Sequence, residues 1–169
     1  MIHSPSPNFD ARKPDANVDM LVLHYTGMRD GHVALERLRD PATKVSAHYM
    51  IEEEGTVYAL VDEELRAWHA GVGCWAGNTD INGCSIGIEL VNPGHEFGYR
   101  PFPAKQRDAL VVLAEDIVRR YAIPAHRVLG HSDVAPARKQ DPGELFDWAG
   151  LARAGIGLWP EQVADGPVL

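Results

Sequence analysis

A chain of 169 residues is long enough to bury a core without staples, and 45% hydrophobic with 24% charged residues is the make-up of a soluble globular domain. Its 16 Lys and Arg against 24 Asp and Glu leave a net charge of -8, which argues against phosphate backbones and anionic membrane surfaces as partners. No run approaches the roughly 18 to 20 apolar residues that span a bilayer, and two cysteines, Cys74 and Cys84, suit either free thiols in a reducing compartment or one bridge across the intervening loop.

Residues 1–17 read as an N-terminal arm, with Ser4-Pro5-Ser6-Pro7 extended. The arm has no apolar core of the kind a secretory leader carries, so a cytoplasmic address is expected, or a periplasmic one if a leader has been removed. Met20 to Tyr25 is a strand apolar on both faces and therefore central, with His24 at its end on the Met20 and Val22 face. A helix from Gly31 to Arg39, with Val33, Leu35 and Leu38 inside, closes at Asp40-Pro41. Ala47 to Glu53 and Thr56 to Val61 form a hairpin around Gly55. The stretch from Arg66 to Gly83 is a long loop holding Trp68, His69 and Trp75.

Cys84 to Asn92 is the fourth strand, with Ile86, Ile88 and Leu90 on one face and Ser85, Gly87, Glu89 and Val91 on the other. Pro103 to Tyr121 is a helix whose stripe is Leu110, Leu113, Ala114, Ile117 and Tyr121. Val128 to Gly130 is a short fifth strand, Glu144 to Ala154 a last helix, and 156–169 a tail. The fold class is α/β: a single domain, with a mixed central sheet of about five strands flanked by helices and its catalytic core in residues 18–155.

The chemistry gathers at strand ends. His24 closes the first strand, His131 follows the fifth, and Asp141 lies ten residues on, in a loop too rich in proline to be a helix. Two imidazoles and a carboxylate form a set suited to zinc, with the fourth position left open for water. Taken singly, each histidine is equally compatible with a hydrogen-bonded core or surface role. Glu89 either faces solvent or stands near a site that tunes its acidity, and Gly87 beside it leaves room for a ligand. Lys139 is either a solvated cation or the stabiliser of an oxyanion. Trp68, His69 and Trp75 either anchor their loop by packing or wall a groove. His48 is a core histidine or a substrate group. A cysteine hydrolase built on Cys74 or Cys84 has nothing in its setting to lower a thiol pKa.

Together, Leu23-His24-Tyr25-Thr26, Val45 to Ile51, Gly55-Thr56-Val57, Ala67-Trp68-His69-Ala70-Gly71, Ser85 to Leu90 and Gly130-His131-Ser132-Asp133 through Lys139-Gln140-Asp141-Pro142-Gly143 carry a resemblance. In that order they resemble the zinc-dependent N-acetylmuramoyl-L-alanine amidases of the AmpD, phage T7 lysozyme and peptidoglycan-recognition-protein type. The resemblance implies one zinc ion on His24, His131 and Asp141, with Glu89 and Lys139 at the catalytic positions. It implies hydrolysis of the amide between the lactyl group of N-acetylmuramic acid and L-alanine, in peptidoglycan recycling or turnover, with the 1,6-anhydro form favoured and intact wall or another soluble fragment left open as substrate. The partner is then a muropeptide, with no nucleic acid and no membrane involved. Asp141 in place of a cysteine sets the chain on the AmpD side, and Pro93 to Tyr99 is similar to the AmiD-like branch. His48, Trp68, His69 and Asn92 are the substrate-binding candidates, although His48 stands where the phage enzyme carries a tyrosine. The alternative function is a non-catalytic module of the same fold that binds wall fragments.

Overall fold

In a computed structural model that describes residues 1–160, the strands are β1 (Ile2–His3), β2 (Phe9–Ala11), β3 (Met20–Tyr25), β4 (Tyr49–Ile51), β5 (Val57–Ala59), β6 (Leu65–Ala67), β7 (Ser85–Leu90) and β8 (Val128–Gly130). Between and after them come α1 (Gly31–Arg39), α2 (Ile81–Cys84), α3 (Gly94–Phe97), α4 (Ala104–Tyr121), α5 (His131–Val134) and α6 (Trp148–Arg153). Six strands make one mixed sheet in the order β1-β5-β4-β7-β3-β8, and β2 pairs with β6 in a second, two-stranded sheet. The parallel centre, β4-β7-β3-β8, holds the fully buried runs, as expected for strands covered on both faces.

Alternation of side chains along β3 and β7 divides the molecule. Leu21, Leu23, Ile86, Ile88 and Leu90 face α4, where Leu110, Leu113, Ala114 and Ile117 complete the larger core. Burying each such leucine or isoleucine stabilises the fold by about 1.5–3 kcal/mol. Gln106 fixes the helix in place by donating from Nε2 to the carbonyls of Ile51 and Val91, both at 2.9 Å. The opposite face holds a smaller cluster of Met20, Val22, Ala70, Ile81, Leu129 and Val134, and beyond it the same face turns polar at the carboxyl ends of β3, β7 and β8. Open α/β sheets bind their ligands at such ends.

The expected helices over 31–39 and 103–121 both form. Asp30 caps α1 by accepting from the Val33 amide at 2.9 Å, and α4 ends where Ala122 turns left-handed at φ 50°. Val33, expected inside, is 42% exposed; Ala34 takes the inward position instead, with Leu38. The last helix begins at Trp148 rather than Glu144, because Asp147 supplies the cap to the Gly150 amide. The arm does not hang free. Ile2 pairs with Tyr58 and Phe9 with Ala67, and the Arg12 guanidinium donates to the carbonyls of Glu63, Asn82, Gly83 and Ser85 at 2.9–3.1 Å. Strand pairing therefore extends the expected five strands to a six-stranded sheet with a two-stranded annex. Of the 156–169 tail, residues 161–169 lie outside the described residues.

Candidate active site

Register alone brings the separated residues together. β8 runs parallel to β3 with Gly130 opposite Leu23, so His131 leaves β8 beside His24. On the other flank β7 sets Glu89 opposite His24, Gly87 opposite Val22 and Ser85 opposite Met20. Asp141 arrives on the loop after α5. That loop is pinned by the Ser132 amide donating to the Asp141 carbonyl at 2.9 Å and by the Tyr99 hydroxyl donating to the Pro142 carbonyl at 2.7 Å.

The result is a buried triangle. Nδ1 of His24 and Nδ1 of His131 are 2.9 Å apart, and Asp141 Oδ2 lies 3.1 Å from each. His24, His131 and Asp141 are only 1%, 3% and 5% exposed. Burial first, then the neighbouring His131, pushes His24 down to about 4, so its ring is neutral.

The far nitrogens show which atoms face inward. His131 Nε2 donates to the Ala70 carbonyl at 2.9 Å, so its Nδ1 presents a lone pair. The same carbonyl accepts from Arg138 at 2.6 Å, which ties the 70–72 segment to the ligand loop. His24 Nε2 faces His69 Nδ1 at 3.0 Å. His24 Nδ1, His131 Nδ1 and Asp141 Oδ2 thus converge within reach of one point, an arrangement a cation satisfies. In a tetrahedral shell with metal–ligand bonds of about 2.0–2.1 Å, ligand atoms lie about 3.3 Å apart. The observed edges are a few tenths of an ångström shorter. The donor set fits zinc.

Glu89 stands next to this triangle. Its Oε2 is buried and has no hydrogen-bond partner, and burial, then the charge of Asp141, raises its pKa well above the ordinary carboxylate range against an opposing pull from Lys139. Glu89, Lys139, His131 and Asp141 line a cleft of about 680 Å³ together with Tyr25, Trp68 and His69. Trp68 is held at the rim by its indole N–H donating to Asp10 at 2.6 Å.

Other candidates lie elsewhere. His48 is fully buried beneath the site: its Nδ1 accepts from the Gly87 amide at 3.0 Å and its Nε2 donates to the Leu65 carbonyl at 3.1 Å. It is a structural residue and does not line the cleft. Asn92 is equally buried and shapes the following turn, donating to the Arg100 carbonyl and accepting from the Gly94 amide. Trp75 packs against the Met20 cluster rather than walling the groove. Cys74 and Cys84 are both free thiols, and neither lines the cleft.

Burial pushes His48 down to about 4, whereas an unfolded histidine titrates near 6.5. Its contribution to stability is therefore complete above pH 6.5 and is lost as pH falls towards 4, by about 3 kcal/mol at most. Unfolding then takes up a proton, and urea unfolding between pH 4.5 and 6.5 should show His48→Gln taking up about one fewer proton than wild type.

One cluster carried no signal in the composition of any single motif. Tyr25 hydroxyl meets His95 Nδ1 at 2.8 Å, and His95 Nε2 meets Glu144 at 3.0 Å, with His95 stacked on Tyr99 at 4.3 Å.

Residues 14–144 match the model of the N-acetylmuramoyl-L-alanine amidase family. The chain belongs to that family. Among curated relatives, the N-acetylmuramoyl-L-alanine amidase AmiD of Escherichia coli K12 is 42% identical over 156 residues, which is 85% of this chain but 55% of that protein. The 1,6-anhydro-N-acetylmuramyl-L-alanine amidase AmpD of Enterobacter cloacae is 34% identical over 87% of this chain and 86% of its own length. The E. coli AmiD structure, solved with anhydro-N-acetylmuramic acid-L-Ala-D-γ-Glu-L-Lys, superposes with a TM-score of 0.79 at 40% identity, covering 89% of this chain and 63% of that one. The chain thus spans little more than half of AmiD and most of AmpD.

Proposed function

We propose that the chain is a zinc-dependent amidase that cleaves the bond between the lactyl group of 1,6-anhydro-N-acetylmuramic acid and L-alanine in soluble muropeptides. Residues 18–155 form the catalytic unit, with the 1–17 arm fastened to it. The observation that carries the reading is the convergence of His24 Nδ1, His131 Nδ1 and Asp141 Oδ2 at 2.9–3.1 Å. Bound there, zinc supplies Lewis-acid polarisation and a more acidic water.

The protein's own groups do the rest. Glu89, with Oε2 unpartnered at the edge of the triangle, takes a proton from the attacking water as its oxygen bonds to the lactyl carbonyl carbon. It then passes that proton to the alanine nitrogen as the C–N bond breaks. The Lys139 ammonium, in the same cleft, offsets the negative charge that develops on the carbonyl oxygen. Lys139→Ala should lower kcat by about 100- to 1000-fold, the typical cost of losing such a donor, with zinc content unchanged. Trp68 supplies an apolar wall for sugar or peptide. No helix among the described residues is long and apolar enough to cross a membrane.

The test is mass spectrometry of products from anhydro-N-acetylmuramyl-L-Ala-D-γ-Glu-L-Lys and from whole sacculi, side by side. Free anhydro-N-acetylmuramic acid and a peptide beginning with L-alanine are expected from the soluble substrate. Tight binding without cleavage would instead make the chain a binding module.

A further inference from the structure

We propose that His69 is a positioning residue, held in a cradle formed by Gly87 and Ser85, which commits His24 Nδ1 to the metal by accepting the proton on His24 Nε2. The proposal rests on the metal-centre reading above and extends it to a residue with no place in the chemistry itself.

Hydrogen-bond directions follow from one end of the chain to the other. Ser85 Oγ lies 2.5 Å from the Ile81 carbonyl. A carbonyl only accepts, so the Ser85 proton is used there. Ser85 Oγ is also 3.1 Å from His69 Nε2, and with its own proton committed it must accept, which places the His69 proton on Nε2. His69 Nδ1 is then a lone pair, and it lies 3.0 Å from His24 Nε2. His24 therefore carries its proton on Nε2 and turns an unprotonated Nδ1 toward His131 and Asp141. Four groups in series fix one tautomer.

The cradle is a matter of sequence as much as of hydrogen bonding. A Cβ on Gly87 would stand 2.4 Å from His69 Cγ and 2.5 Å from its Nδ1, so the imidazole occupies the volume a side chain at 87 would fill. Ser85 and Gly87 sit two residues apart on the face that carries Glu89. One strand thus supplies the hydroxyl that orients His69, the gap that receives it and the carboxylate of the reaction. His69 is 8% exposed, and both its ring nitrogens are engaged within the protein. The substrate role expected for it gives way to one directed at the ligand. Metal-binding histidines regularly have their outer nitrogen fixed in this way.

The test compares zinc affinity, by competition with a chromophoric chelator, among wild type, His69→Leu and His69→Asn, each checked for folding by circular dichroism. His69→Leu removes the acceptor and should weaken zinc binding by about 10- to 100-fold. The amide oxygen of His69→Asn lies near the position of the lost Nδ1 and should recover most of that affinity. Equal affinities for wild type and the leucine variant, or an asparagine variant as weak as leucine, would overturn the proposal. Should His69→Leu not fold, long-range proton–nitrogen correlation spectra of zinc-loaded wild type decide instead. They should place one proton on Nε2 of both His24 and His69, and a proton on His69 Nδ1 would overturn it. Wild type that binds no zinc at all would sink the underlying metal-centre reading.

Discussion

Glu89→Gln should leave zinc content and fold unchanged while lowering kcat by about 100- to 10,000-fold, the range general acid–base groups supply. The substitution keeps the size and shape of the side chain but removes the site that takes a proton. Because Oε2 is buried and makes no hydrogen bond, no internal partner is lost, so stability should hold or rise: a buried carboxylate beside the charge of Asp141 is replaced by a neutral amide. KM should change little, since the loss is confined to the step in which a proton moves. Steady-state kinetics on the anhydro-muropeptide, with zinc measured on the same preparation, checks this. Wild-type kcat in a zinc-loaded variant would remove Glu89 from the mechanism.

Asp141→Asn should separate the metal from the fold. The variant keeps the shape of the ligand but offers the zinc a weak, neutral oxygen, and zinc affinity should fall more than 100-fold, beyond the cost of losing an outer partner. Turnover should fall with it. The stability of the metal-free protein should move the other way. In wild type, two imidazole lone pairs and a carboxylate crowd together at 2.9–3.1 Å. An amide N–H at position 141 can donate to His24 or His131 and relieve that repulsion. Thermal melts of both proteins in chelator should show the metal-free variant melting higher than metal-free wild type, while wild type alone gains stability when zinc is added.

Much of this site was legible because its ligands sit at the ends of strongly patterned strands. The apolar run from Met20 to Leu23 and the alternation from Ser85 to Leu90 gave the strands and their faces, and hence His24 and Glu89 on one side of the sheet. Asp141 was reachable only through its fixed offset from His131, since nothing local says that a proline-rich loop folds back. What escaped was set by contacts between distant segments. Gly87 read as space for a ligand, and that space holds His69 from a loop 18 residues earlier. His48 and Asn92 are polar residues beside the motifs, but both are consumed by backbone groups at the sheet ends. The short strands β1 and β2 have no hydrophobic periodicity of their own and exist because β5 and β6 present edges to them.

A zinc ion held by His24, His131 and Asp141 has a direct consequence for turnover. Wild-type protein stripped with a chelator should lose hydrolysis of the anhydro-muropeptide and regain it in proportion to zinc returned, reaching its maximum at one equivalent per chain. Undiminished turnover by protein free of metal would contradict the account.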